Sequence, residues 1–172
     1  MTGSAHLNSP KRTITSKPLA GTVIDVEVPT HVVAVLDFHS GAIGTLVTSF
    51  DVKATALPSI EVYGTEASML VPDPNLFGGD VQLRGAGEKK WRSAKPVHRY
   101  KDNWRGVGLA DMAMGLSTGR AHRANGDVAL HVLEIMHAVH IASNEGRHVE
   151  LTTKPERPAP MDAKLKEGTL ED

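Results

Sequence analysis

Arg120-Ala121-His122-Arg123 places an imidazole between two guanidiniums. Forked guanidiniums beside a histidine that titrates near neutrality suit an anionic or polyhydroxy ligand. The same run also reads as solvated charge near a helix C-terminus, and the sequence leaves both readings open. A second gathering of polar groups is His31, Asp37, Ser49 and Asp51, which strand alternation puts on one face of a hairpin. That face is either a floor for a ligand, a surface for a second copy, or solvated. His122 and Arg123 are therefore the first candidates for touching a substrate, followed by His31 and Asp51.

Other chemistry is set aside on residue type and spacing. Gly106-Val107-Gly108-Leu109-Ala110-Asp111 opens like a dinucleotide fingerprint, but Asp111 stands where the third glycine belongs. A carboxylate there repels pyrophosphate, so the segment reads as a glycine-softened start to a helix. There is no P-loop and no G-x-S-x-G elbow. Nine histidines invite a metal, and Glu134 with His137 gives one E-x-x-H pair. Helical di-metal sites use two copies plus further carboxylates. Glu134, His137 and His140 are expected on a solvated helix face, and His131, at the edge of the apolar stripe, is expected to be partly buried and hydrogen-bonded. No metal site is assigned. The chain has 0 cysteines, which removes disulfides, thiolate ligands and thiol nucleophiles.

The elements that position these groups follow from periodicity. Val32, Ala34, Leu36 and Phe38 alternate with His31, Val33, Val35 and Asp37; His39-Ser40-Gly41 turns the chain, and Leu46, Thr48, Phe50 and Val52 return on the apolar face. Val23–Val28, Ile60–Tyr63, Ser68–Val71, Val81–Leu83 and His148–Thr152 read as further strands. Residues 85–104 read as a loop or an edge-strand excursion. Leu109, Met112, Ala113 and Leu116 recur at helical spacing up to Gly119. A stronger helix over about 126–144 starts at Asn125 and stops at Gly146, with Val128, Val132, Ile135, Met136, Val139 and Ala142 as its stripe. Strands followed by two helices give an α+β fold: an open-faced, mostly antiparallel β-sheet with helices packed on one face. Residues 1–153 are assigned to this domain and 154–172, rich in proline, to an extended tail. Val33, Val35 and Val47 lie on the sheet face away from the helices, so a homo-oligomer through that face is expected.

The 172 residues are 40% hydrophobic and 23% charged, with a formal net charge of -1. Such a balance gives no global field for nucleic acid or anionic lipid. No apolar run spans a bilayer and the first ten residues are no secretory signal, so a cytoplasmic location is expected.

Several segments together resemble one family. Ile60-Glu61-Val62-Tyr63-Gly64-Thr65-Glu66-Ala67-Ser68 is similar to the EIYGTEGS run of the glucose–fructose oxidoreductase, inositol dehydrogenase and rhizopine-catabolism group, Gfo/Idh/MocA. Val71-Pro72-Asp73-Pro74-Asn75-Leu76-Phe77-Gly78-Gly79 looks like the segment that follows it there. Gly119–Ala124 and Ala129–Met136 resemble the family's GRPHRASGELALHVLEVM. The resemblance runs in order over about residues 2 to 161. It implies the C-terminal α+β domain of a two-domain enzyme, whose N-terminal Rossmann domain binds NAD or NADP. It further implies hydride transfer to or from a sugar, polyol or related compound. A lysine in an E-K-P-type motif and a histidine in a D-x-x-x-H-type motif handle the proton there, and the resemblance puts both upstream of this chain. No Glu-Lys-Pro occurs, and Lys95-Pro96 follows Ala94 instead. No catalytic residue is assigned, and the chain alone is expected to bind neither NAD(H) nor NADP(H).

Two functions fit this reading. One is the substrate-binding and oligomerising half of an NAD(P)-dependent oxidoreductase, inactive as it stands. The other is a stand-alone binding or scaffold module that reuses the fold without chemistry. Thr2–Leu7 begins inside the sheet that the resemblance describes, so about 150–200 further residues are expected upstream in the gene, the size of one domain.

Overall fold

The computed structural model describes residues 1–94, 98, 100 and 102–171; Lys95 and Pro96 lie outside the described residues. Contacts gather into two compact units, Met1–Thr55 with Gly126–Pro155 and Ala56–Asn125 with Glu156–Asp172.

In the first unit the central strand is β4 (His31–Asp37), flanked by β1 (Thr2–His6) and β5 (Ile43–Ser49), all antiparallel. The β4–β5 turn is the one expected, with Gly41 at φ 87° and Phe38 N–H donating to Ala42 O at 2.9 Å. Register places Gly3 against Ala34 and Ala34 against Leu46, and on the alternate face His31 against Ser49 and Val33 against Val47. The strands β2 (Lys11–Thr13) and β3 (Val23–Asp25) pair separately, so the strand predicted over 23–28 is shorter.

The long helix, here α2 (Gly126–Glu145), packs on this sheet. Ala34, Ala138, Val139, Ala142 and Val149 form the core, with Val32, Leu36, Ile135 and Leu151 packed around it. Gly146 ends the helix at φ 62°, its N–H bonded to Ala142 O at 2.9 Å. The buried stripe is narrower than the periodicity predicts: Val132 and Met136 are 50% and 59% exposed. Three of the buried core residues are alanines, which let helix and sheet approach closely but cover little width. Phe50 and Val52, expected on the covered face, extend past that cover and are exposed. Residues His148–Thr152 form no strand. Val149 does share a hydrogen bond with Met1 O at 2.8 Å, but the next residues are captured by a helix side chain instead.

In the second unit β6 (Ile60–Tyr63), β7 (Ala67–Val71), β8 (Val81–Gly85) and β9 (Arg92–Ala94) make a four-stranded antiparallel meander in chain order. The edge-strand reading of 85–104 holds for Arg92–Ala94, which pairs with β8. Helix α1 (Val107–Thr118) ends at Gly119, φ 78°, whose N–H caps Gly115 O. Its apolar positions do not face inward. Leu109 and Leu116 are 73% and 78% exposed, while Asp111 and Gly115 are buried. The fold is thus α+β with antiparallel sheets and, among the described residues, two helices, as expected, but the described strands divide among three sheets of three, two and four.

Candidate functional site

On the outer face of the first unit, strand pairing sets His31 directly opposite Ser49, and His31 Nδ1 lies 2.8 Å from Ser49 Oγ. Ser49 Oγ also accepts the Asp51 N–H at 3.1 Å. The Asp51 carboxylate in turn accepts from Thr30 Oγ1 at 2.6 Å, Ser9 Oγ at 2.9 Å and Asn8 Nδ2 at 3.1 Å. Thr30 is 3% exposed, so its hydroxyl must find a partner inside the protein. That hydroxyl, with the Asn8 amide and the Ser9 hydroxyl and against a partial loss of hydration, holds the Asp51 pKa below its ordinary value. Two of the predicted residues, His31 and Asp51, therefore belong to one network joined through Ser49. Asp37 does not join it. It sits at the other end of β4, where His148 Nε2 lies 2.9 Å from its carboxylate and lowers its pKa.

The second predicted pair lies in the other unit. The loop after α1 folds back on the helix, and the lack of a side chain at Gly115 makes room for it: a Cβ there would meet Arg120 O at 2.9 Å and His122 Cβ at 3.1 Å. Folding back brings Arg120 and Arg123 onto Asp111, which is 2% exposed. Arg123 Nη1 donates to Asp111 Oδ1 at 2.6 Å, its backbone N–H to Oδ2 at 2.8 Å, and Arg120 Nη2 to Oδ1 at 2.9 Å. Burial pushes the Asp111 pKa up, but these donors outweigh it and hold the carboxyl below its ordinary value. Arg123 also binds Glu171, and its Nε donates to Ala159 O at 2.9 Å. His122 is half-buried within the same loop.

Asp111 is the residue whose importance spacing misjudged. Read as a spoiled third glycine, it is the buried anchor of the Arg120–Arg123 loop. Gly106 does stand as the N-cap of α1, as the helix-start reading expects. A histidine–carboxylate spacing was also passed over. Asp127-Val128-Ala129-Leu130-His131 has the Asp-x-x-x-His spacing, although the resemblance puts the family's motif of that form upstream of this chain. It opens α2, and the His131 ring is committed to Thr153 Oγ1 at 2.7 Å, half-buried as predicted for that residue. Glu134 is not on a freely solvated face. Its carboxylate accepts from the backbone and hydroxyl of both Thr152 and Thr153. Those bonds, Thr153 Oγ1 foremost, pull its pKa down to about 2. Among the described residues no three His, Asp or Glu side chains gather as metal ligands, and no helix is long and apolar enough to cross a membrane.

No protein of curated function matches the chain by sequence. Residues 4–70 match the family model described as the GFO/IDH/MocA C-terminal domain. Among solved structures, levoglucosan dehydrogenase in its apo form superposes with a TM-score of 0.67 at 16% identity, covering 90% of this chain and 46% of that one. Levoglucosan dehydrogenase in complex with NADH and L-sorbose gives 0.62 at 16% identity, over 84% and 43%. An oxidoreductase domain protein from Kribbella flavida gives 0.61 at 17% identity, over 85% and 44%. The chain therefore spans less than half the length of each of these proteins. Over residues 4–70 the chain is similar in sequence to the GFO/IDH/MocA C-terminal domain, and over most of its length it is similar in fold to these oxidoreductases.

Proposed function

We propose that this chain is the substrate-side half of a cytoplasmic NAD(P)-dependent oxidoreductase acting on a sugar, polyol or related compound, and that it does not turn over substrate alone. The observation that carries the reading is the joint match: the C-terminal domain by sequence, and the fold of less than half of a sugar-type dehydrogenase whose complex holds NADH and L-sorbose. The nucleotide and the proton-handling groups would come from a Rossmann domain in the parent protein. The residues proposed to touch substrate are His122 and Arg123 and, on the outer sheet face, His31 and Asp51. A hydroxylated ligand suits the His31–Ser49–Asp51 network, because imidazole, hydroxyl and carboxylate each donate to or accept from a C–OH group.

The test is to read the gene in frame and express the full product. A strand–Gly-x-Gly-x-x-Gly–helix unit is expected in it, with NAD(P)-dependent oxidation of a polyol or sugar. In that protein His31→Ala and His122→Ala are expected to lower kcat/KM about tenfold or more, which is ~1.4 kcal/mol of lost transition-state binding. A reading frame without a dinucleotide-binding unit overturns the proposal and favours the stand-alone binding module.

A further inference from the structure

The four charges Asp111, Arg120, Arg123 and Glu171 form the densest cluster of ionised groups in the second unit, and they face two ways. Inward, Asp111 binds both arginines from the buried side of α1. Outward, Arg120 Nη1 donates to Ala121 O at 3.2 Å, and the other partners come from the last part of the chain. Arg123 Nε donates to Ala159 O at 2.9 Å and Nη2 to Pro160 O at 3.2 Å, and the same Nη2 meets the Glu171 carboxylate. Arg120 Nη2 reaches Glu171 O at 3.2 Å, while Arg120 Nε is buried with no partner among the described residues. Two guanidiniums against one buried carboxylate leave a surplus of one positive charge. Glu171 supplies the matching negative charge.

We propose that Arg120 and Arg123 form a binding site for a small monocarboxylate, and that Glu171 occupies it in cis as a built-in competitor. The geometry favours a carboxylate over a phosphate. The surplus is a single charge, and Asp111 behind the arginines opposes a second negative charge on the ligand. A fixed guanidinium fork also matches a carboxylate in plane. The segment that carries Glu171 can leave. Residues 156–171 contain no helix or strand, so no backbone ladder ties them to the unit, and Tyr100 Oη donates to Thr169 O. The Arg123 and Glu171 side chains are 21% and 28% exposed, so an incoming carboxylate must take over the pairing that Glu171 gives up. A competitor tethered in cis acts at an effective concentration of about a millimolar, which an external ligand can match. The inference rests on reading Arg123 as ligand-facing, and adds that the tail must move before a ligand reaches it.

The full chain is titrated calorimetrically with D-gluconate, a hydroxylated monocarboxylate, with D-glucose and inorganic phosphate as controls. Glu171→Gln is expected to bind gluconate about tenfold or more tightly than the unaltered chain. The double variant Glu171→Gln with Arg123→Lys, which keeps the charge on Asp111 but loses the fork, is expected to lose that gain. In the unaltered chain, saturating gluconate is expected to shift the amide resonances of Thr169 and Leu170 toward random-coil positions, and glucose is not. Equal gluconate affinity with and without Glu171 overturns the competition. Phosphate binding as tightly as gluconate overturns the carboxylate assignment, and unmoved tail resonances at saturation overturn the occupancy of the seat. Gluconate binding here together with unchanged kinetics for the His31 and His122 variants would sink the oxidoreductase site reading alone.

Discussion

Glu134 spends one carboxylate on four donors, the backbone N–H and the hydroxyl of both Thr152 and Thr153. It thereby fixes the chain two residues before it leaves the first unit at Pro155. The linkage has a definite sign. A carboxyl lowered from 4.5 to about 2 on folding contributes stability that is present above pH 4.5 and lost as pH falls toward 2. Glu134→Gln offers one acceptor where four donors converge, so it is expected to lower Tm at pH 7. Its Tm is also expected to fall less steeply than that of the unaltered chain between pH 4.5 and 2, the window set by the shift itself. Parallel acid limbs in thermal melts of the two proteins would show that the carboxylate is not the group being titrated. Nothing in the sequence around Glu134 marks this role, because its partners stand 18 and 19 residues further on. His131 was legible, since its place at the edge of an apolar stripe already implied a half-buried ring. Asp111 was not, since only the fold-back of residues 120–123 turns it from a failed glycine into an anchor.

The two helices show how far periodicity reaches. For α2 it gives the span almost to the residue, because a starting Asn, a long stripe and a terminal glycine all agree. It overstates the buried width, since what is covered depends on where β1 and β4 lie beneath the helix. For α1 the same reasoning selects the wrong face: the leucines point out, and the side bearing Asp111 and Gly115 is closed by the following loop. Hydrophobic spacing reports which residues would gain from burial, and the partner surface decides which are buried. Helix α2 lies close over Gly3 on β1. A Cβ there would lie 2.7 Å from Val139 Cγ1 and 2.9 Å from Val33 O. Gly3→Ala must therefore push α2 off the sheet or bend the strand, a cost of about 1–3 kcal/mol for an overpacked core. The expected result is a Tm lower by roughly 2–4 °C for each kcal/mol lost. An unchanged Tm would mean that Val139 does not sit against β1 so closely.

At the scale of the whole molecule, the sequence conveyed the α+β class and the antiparallel pairing, since alternation and turn residues are local signals. It did not convey that the strands part into three sheets, because that depends on contacts between segments as far apart as Met1 and Val149. What both levels share is an apolar stretch of the outer sheet face, beside the His31–Ser49–Asp51 network. On β5, Val47 is 60% exposed and Ile43 is 73% exposed, and Val47 pairs with Val33 across the strands. Residues of this kind standing together on a flat antiparallel surface lose free energy to water, at about 25 cal/mol per Å² of apolar area. A second copy of the same face can remove that contact by twofold pairing, since a self-complementary patch needs no other partner. We therefore predict that the chain self-associates through β4 and β5. A stable dimer of this type covers on the order of 800 Å² per copy. Val47→Lys places an ammonium at the centre of that contact, opposite its own symmetry mate or close to it, and leaves the helix-covered face untouched. Light scattering at high micromolar concentration is expected to show a dimer or larger assembly for the unaltered chain and a shift toward monomer for the variant, with circular dichroism unchanged. A monomer in both samples, or an assembly indifferent to the lysine, would assign the apolar face to another occupant.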